Sequence, residues 1–203
     1  RPSTIDHRPS TIDHRPSTID HRPVAFTHLK TSDTTQRYLS QFMGQSSLTC
    51  NRKSPRTLFY SSSFLGCTGI LLVAKKSNGD FDIKLLHKDA VQTGSRFFNS
   101  ETLPHLSSIP QNATVVVFVE GEYQKNTKDM WEMLPNDAST QVIARISRAL
   151  PHRKIIAKAY SSNKELGKPS NAIGVLYDPK ANSVKVYTDG CEENPYNPIL
   201  EIK

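Results

Sequence analysis

A cysteine and a histidine lie at the two outer ends of a hairpin that the sequence predicts. Cys67 comes just before the apolar run 70–73, and His87 closes the alternating segment 81–87. A free cysteine with a pKa of about 8.5 needs a neighbouring base or cation to ionise at neutral pH. His87 could take the proton of the thiol and then pass it to a leaving amine. If the two side chains meet, this pair predicts acyl chemistry on an amide.

The residues around Cys67 are suited to holding a substrate. Gly66 and Gly69 have no side chains, so a substrate could approach the backbone closely on either side of the cysteine. Backbone amides of this segment, with Thr68 between the glycines, could bind an oxyanion. The candidate site therefore consists of Cys67 and His87 as catalytic residues, with Gly66, Thr68 and Gly69 as oxyanion or substrate contacts.

The turn of the hairpin decides whether the two catalytic side chains can meet. A two-residue turn at Asn78-Gly79 would place His87 beside Ile70, on the face opposite Cys67. A three-residue loop that includes Ser77, with the glycine left-handed, would pair His87 with Gly69 instead. Cys67 would then lie diagonally from His87 on the same face, about 7 to 8 Å away between backbones and within side-chain reach. A bulge at either flanking glycine would have the same effect.

The tripeptide Gly66-Cys67-Thr68 at a strand start, with a histidine closing the next strand, resembles the Cys-His glutamine deamidases. That superfamily includes the Rho-activating domains of the cytotoxic necrotizing factors and dermonecrotic toxin, and chemoreceptor glutamine deamidases of similar fold. The resemblance implies that Cys67 attacks the carboxamide of a glutamine in a target protein. His87 would protonate the departing ammonia, and water would release glutamate.

The same resemblance implies a setting. The toxin relatives modify switch-region glutamines of Rho-family GTPases, so we expect a secreted bacterial effector that acts in the host-cell cytosol on a small GTPase. We expect a monomer with no cofactor and no metal. A third group, often a backbone carbonyl, orients the histidine in such enzymes, and the sequence does not assign it. Deamidation and transamidation both stay open.

Two other functions compete with this hypothesis. One is a papain-like cysteine protease or acyltransferase in which Cys67 works with His152 and Asp178. The other is a non-enzymatic or nucleolytic module with a positive face against phosphates. Nucleic acid is the less favoured partner, because no nucleic-acid-binding motif accompanies the basic residues. That face would consist of Arg145, Arg148, His152, Arg153, Lys154 and Lys158.

Composition sets the remaining bounds. The 203-residue chain has a formal net charge of +7, and no apolar run is long enough to span a membrane. Its first residues repeat Arg-Pro-Ser-Thr-Ile-Asp-His three times, so we expect a disordered linker over 1–23 and a single catalytic domain over 24–203. Because the sequence does not begin with Met, we expect a fragment. Cys50 and Cys191 are expected to be bystanders, and an odd number of cysteines leaves at least one thiol free.

The hydrophobic pattern predicts an α+β fold, with a mixed, mostly antiparallel β-sheet or sandwich flanked by about three helices. The stretch between the predicted strands 81–87 and 113–120 is expected to be a functional loop. Helices are predicted over 33–44, 126–134 and 137–150, with a loop over 45–47. Strands are predicted over 57–60, 70–73, 81–87, 113–120, 154–160, 172–177 and 183–188.

Overall fold

Two β-sheets form the body of the protein in the computed structural model, which describes residues 25–161 and 171–203. The fold is α+β and mostly β, with mixed and antiparallel pairing, which confirms the predicted fold class. The repeat tract predicted to be a linker, 1–23, lies outside the described residues. No helix in the described part of the chain is long and apolar enough to cross a bilayer.

The first sheet has the strand order β1-β3-β9-β10-β11. Strands β1 and β3 run parallel, and the other neighbours in this sheet are antiparallel. The five strands are β1 (Thr35–Leu39), β3 (Thr57–Ser62), β9 (Ala172–Asp178), β10 (Ser183–Asp189) and β11 (Leu200–Ile202).

The second sheet has the strand order β2-β5-β4-β6-β7, and β8 pairs with β6 in parallel. Helix α2 (Asp137–Ala149) covers its outer face, and the short helix α1 (Ala90–Thr93) follows β5 directly. A π-helical turn (Phe98–Thr102) and 3-10 turns (Thr27–Leu29, Leu103–His105) complete the helical elements described. The strands are β2 (Gln45–Cys50), β4 (Thr68–Lys75), β5 (Phe81–Lys88), β6 (Thr114–Lys125), β7 (Trp131–Pro135) and β8 (Lys154–Ser161).

Strand β4 is buried on both faces, as its apolar run predicts. Side chains alternate along a strand, so Leu71 and Val73 enter the core between the two sheets. Ile70 and Leu72 point the other way and pack with the buried side of α2. The central hairpin is therefore held from both sides, which fixes the positions of its ends.

The β4–β5 turn has the three-residue form. Lys76 N donates to Asp80 O at 2.7 Å, and Gly79 is left-handed at φ +91°. This register pairs Gly69 with His87. Of the two turns that the sequence allows, the structure therefore has the three-residue one, which places His87 opposite Gly69.

Two predicted helices are wrong. The segment 33–44 is β1 and a turn, and the polar run predicted as a loop opens β2. Phe42 and Met43, which suggested an apolar helical stripe, are exposed on that turn while Leu39 is buried. The spacing matched a helix, but pairing of β1 with β3 and β2 with β5 determines the structure here.

The second wrong helix, 126–134, is a turn followed by β7, which pairs with β6. Asn126 binds the backbone of that turn through its side chain, and this local bonding favours a turn over a helix. The third helix, over 137–150, is confirmed as α2. Its N-cap is Asn136, whose side chain accepts from Ser139 N at 2.8 Å.

Candidate functional site

His87 lies near the end of β5, in the core between the two sheets, and is 1% exposed. Its Nδ1 atom is 2.8 Å from the Oγ of Ser61, and that hydroxyl donates to the carbonyl of Leu39 at 2.6 Å. A serine hydroxyl has one hydrogen, and the bond to Leu39 uses it. Ser61 must therefore accept a hydrogen from Nδ1. This tautomer leaves the lone pair of the imidazole on Nε2.

The Nε2 atom of His87 is buried and has no hydrogen-bond partner. The ring of Phe64 stacks on the imidazole with centroids 3.8 Å apart and planes inclined by 10°. Burial lowers the pKa of His87 to about 4, against the opposing effect of the Asp89 carboxylate. The imidazole is neutral at pH 7, so Nε2 is a base with an unused lone pair.

Cys67 lies just before β4, half-buried against the same inter-sheet core. The buried Tyr160 hydroxyl donates to the carbonyl of Cys67 at 2.7 Å, which fixes the backbone at this position. Burial raises the pKa of the Cys67 thiol, and the carboxylates of Asp89 and Glu120 raise it further. The thiol is therefore protonated at rest.

The structure brings Cys67 and His87 to the same end of the hairpin, but no hydrogen bond joins the thiol to the imidazole in this conformation. Asp89 acts on the charge of both groups, so both lie around one carboxylate. Because both groups are neutral and no hydrogen bond joins them, the thiol is not activated in this conformation. Attack on a substrate would require transfer of the thiol proton to Nε2.

A short loop, 63–67, carries both Cys67 and the phenylalanine that covers His87. Ser63 and Gly66 are left-handed, with φ of 65° and 80°, and the conformation is uncommon for a residue other than glycine. Asn171 anchors the loop: its Nδ2 donates to the carbonyl of Phe64 at 2.9 Å. Cys67, the predicted nucleophile, and the phenylalanine that covers His87 are therefore parts of one anchored turn.

A pocket of ≈ 380 Å³ opens beside the backbone of Cys67, and we name it the thiol pocket, although neither the Cys67 nor the His87 side chain lines it. Gly66 and Thr68, which flank the cysteine, both line it. Glu120 also lines it, and a Cβ on Gly66 would lie 3.3 Å from its Oε2. The opposite wall comes from α1 and the first turns of α2. Two of the three predicted substrate contacts thus face open space.

Gly69 has a different environment from the one expected. A Cβ there would lie 3.1 Å from Cζ of Phe64 and 3.2 Å from Cγ2 of Ile173. These side chains fill the space in which a substrate was expected to approach. Gly69 accommodates the ring of Phe64, and no substrate can reach it in this conformation.

The papain-like alternative is wrong. His152 is exposed in the turn that precedes β8, and Lys154 at the start of β8 pairs with Thr114. Thr114 also pairs with Val73, at the turn end of β4, whereas Cys67 precedes the first residue of that strand. At about 3.3 Å per residue, the length of β4 separates the two side chains by more than 20 Å. Asp178 lies at the start of the β9–β10 turn, whose Asn182 donates to Gly79 O in the hairpin turn.

The predicted six-residue basic face is not one surface. Arg153 donates to the backbone carbonyls of a loop, including Ile109 O at 2.6 Å, and Lys158 forms an ion pair with Glu193. Arg145 and Arg148 of α2 line pockets at a different place on the molecule.

Sequence reasoning missed Ser61, Phe64, Asp89 and Glu120. Ser61 could have been found, because strand alternation places it on the inward face with Phe59, where a polar residue needs a partner. The 25-residue stretch after β5 was expected to be functional, and Thr93 and Gly94 from it line the thiol pocket. In the ranges 25–161 and 171–203, the structure gathers no group of three or more His, Cys, Asp or Glu side chains that could hold a metal.

No protein-family model matches the chain, and no curated protein matches it either. The fold and the site geometry are therefore the grounds for a functional proposal.

Proposed function

We propose that this protein is a cysteine-dependent amidohydrolase that deamidates a glutamine side chain of a target protein. The observation that carries the proposal is the hydrogen-bond chain from His87 through Ser61 to Leu39 O. It directs the basic lone pair of the imidazole to Nε2, at the same strand end as the Cys67 thiol. An oriented base at the same strand end as a thiol is what acyl transfer from an amide needs.

The proposed reaction begins when a glutamine carboxamide enters the thiol pocket and the Cys67 side chain, which does not line that pocket in this conformation, turns towards it. Nε2 of His87 takes the thiol proton as Sγ of Cys67 bonds to the carboxamide carbon, and the carbonyl π electrons move to oxygen. When the tetrahedral intermediate collapses, the C–N bond breaks and the imidazolium gives its proton to nitrogen, which leaves as ammonia. Water then attacks the thioester, Nε2 takes its proton, and glutamate leaves as the thiol is restored.

Ser61 has a positioning role in this scheme. When Nε2 accepts the thiol proton, the positive charge of the imidazolium spreads to Nδ1, where the Ser61 oxygen already accepts a hydrogen bond. Because the ring is buried, this bond supports the charged form that burial otherwise opposes. The hydroxyl thus fills the place of the orienting group that the sequence left unassigned.

The proposed target is a switch-region glutamine of a Rho-family GTPase, on the resemblance of Gly66-Cys67-Thr68 and His87 to the glutamine deamidases. The proposed setting is a secreted bacterial effector that acts in the host-cell cytosol. A basic chain, at +7, can be attracted to an acidic protein surface.

The test is intact-mass analysis of Rho-family GTPases after incubation with the full chain. Deamidation adds about one dalton per glutamine, because an amine is replaced by a hydroxyl, and a larger adduct in the presence of an added amine means transamidation. Cys67→Ser should abolish either change. Cys191→Ser, a half-buried cysteine at the end of β10, is the matched control and should retain activity. An unchanged mass for every GTPase with the wild-type chain would refute the assignment of the target. Activity that survives Cys67→Ser would refute the mechanism.

A further inference from the structure

A second pocket, of ≈ 400 Å³, lies next to the thiol pocket, and we name it the arginine pocket. The two pockets share Arg145 of α2 as a common wall. They are also contiguous along the backbone, since Thr93 and Gly94 line the thiol pocket and Ser95 lines the arginine pocket. Because consecutive Cα atoms are only about 3.8 Å apart, the two pockets lie directly next to each other. One bound peptide segment can therefore occupy both.

Two arginines of the arginine pocket have no charge partner. Arg145 and Arg148 lie three residues apart on α2, and therefore on one side of the helix. Arg145 donates through Nη1 to the carbonyl of Thr93 at 3.0 Å, and neither guanidinium forms an ion pair with any residue that the structure describes. The other residues that line the pocket are neutral. This pocket therefore carries uncompensated positive charge.

The thiol pocket differs from the arginine pocket, because the carboxylate of Glu120 lines it together with Arg145. A negatively charged side chain is disfavoured beside Glu120, whereas a neutral carboxamide can enter. The same carboxylate disfavours the glutamate product after deamidation. The two adjacent pockets thus differ in which side chain they accept, one neutral and one acidic.

We propose that the arginine pocket binds an aspartate or glutamate of the protein substrate, close in sequence to the glutamine that enters the thiol pocket. This inference rests on the proposed deamidase function and adds a rule of substrate choice to it. A carboxylate suits the site because a guanidinium donates two parallel hydrogen bonds to it. Arg145 is held in place by its hydrogen bond to Thr93 O. The exposed Arg148 supplies the guanidinium that binds the carboxylate.

The test uses three sets of fluorescein-labelled synthetic peptides with one glutamine each. A second position, moved from two to four residues on either side of the glutamine, is Asp, Asn or Lys. Binding to the full chain is measured by fluorescence anisotropy, and turnover by ammonia release. We expect the best Asp peptide to bind about tenfold more tightly than its Asn counterpart. Arg148→Glu should remove that preference and favour the Lys peptide.

The control is Arg52→Glu, which makes the same change in net charge in the loop between β2 and β3, at the turn end of the sheet. It should leave the Asp preference intact. Equal binding of Asp and Asn peptides, absence of binding by every peptide, or an equal effect of both charge reversals would overturn the proposal. So would a duplex DNA that binds through Arg148 more tightly than any peptide. An Arg148-dependent Asp preference without any ammonia release would support the acidic subsite and refute the deamidase function.

Discussion

The two ends of the β4–β5 hairpin have opposite characters. At the turn end, Lys76 and Asp80 complete the backbone bonding, Gly79 occupies the left-handed position, and Asn182 Nδ2 donates to Gly79 O at 3.2 Å. At the open end, which carries Cys67 and His87, a buried imidazole nitrogen lacks a partner and a serine is left-handed. The turn end of the hairpin thus has its backbone groups hydrogen-bonded, whereas the open end has an unpartnered buried nitrogen and a strained backbone.

This difference indicates at which end of the hairpin a functional site is to be expected. An unpartnered buried polar atom and a strained backbone both cost free energy, and the surrounding structure must offset that cost. Such departures concentrate at functional sites, because a base that is already fully hydrogen-bonded cannot accept a further proton. The open end of the hairpin is therefore the place where substitutions should separate activity from stability.

Removal of the ring that covers the base should have the largest effect. We expect Phe64→Ala to lower the free energy of unfolding by about 3–5 kcal/mol, because a fully buried phenylalanine leaves a cavity. Water can then reach the imidazole, so the pKa of His87 should rise from about 4 towards its ordinary value. Denaturant unfolding and an NMR titration of the ring measure the two effects.

Phe81→Ala at the turn end is the matched variant, since Phe81 is also fully buried and packs on Tyr177. It should cost a similar free energy without shifting the pKa of His87. An equal pKa shift in both variants would contradict the role given to Phe64.

Acid should destabilise the protein through His87. The folded pKa of about 4 lies below the ordinary 6.5, so the unfolded chain binds the proton more readily. The stability that His87 contributes is fully present above pH 6.5 and declines by about 3 kcal/mol as the pH falls to about 4. Urea unfolding at a series of pH values measures this slope. His87→Leu should flatten it, and the exposed His152→Leu should not.

Loss of the orienting hydroxyl should lower turnover more than it lowers stability. In Ser61→Ala the imidazole loses its partner at Nδ1, and we expect kcat to fall by about 10- to 100-fold. The free energy of unfolding should fall by about 1–3 kcal/mol. Ser61→Thr keeps the hydroxyl and should restore kcat.

The neighbouring Ser62→Ala is the control, because Ser62 is on the opposite face of β3 and bonds to Tyr38. Ammonia-release kinetics on a responsive GTPase or peptide distinguish the variants. Full activity in Ser61→Ala would remove the serine from the mechanism.

A pair of glycine substitutions should give the smallest effects. Gly66→Ala and Gly79→Ala each place a Cβ on a left-handed residue and should each cost about 1 kcal/mol in stability. Only Gly66→Ala should also reduce activity, since its Cβ would crowd Glu120 Oε2 in the thiol pocket. Thermal unfolding and the mass assay together test this, and equal activity of both variants would show that the pocket does not depend on Gly66.

The sequence predicts the hairpin well because three local signals agree on it. The apolar run of β4, the alternation of β5 and the turn residues ending in Gly79 all indicate a hairpin, and of the two registers that the turn allows the structure has the one that pairs Gly69 with His87. Helix α2 is predicted for a similar reason, because Val142 and Ile146, which pack on the sheet, recur at helical spacing.

The wrong helices show what local pattern cannot determine. In 33–44 and 126–134 the apolar spacing allowed a helix, but both segments are held by partners distant in sequence or by side-chain bonds within a turn. The site is limited in the same way. Cys67 and His87 are local to one hairpin, whereas Ser61 reaches the imidazole only because the second sheet packs across from it. Residues that act across the sandwich cannot be found from the spacing within one strand pair.

The bond between Ser61 and His87 also crosses the interior of the sandwich, because β3 belongs to one sheet and β5 to the other. The orientation of the imidazole therefore depends on the relative position of the two sheets. A substitution far from the pocket that lets one layer slide would misdirect the lone pair on Nε2. We expect heating that loosens the packing between the sheets to abolish the proposed activity at temperatures where both sheets are still intact.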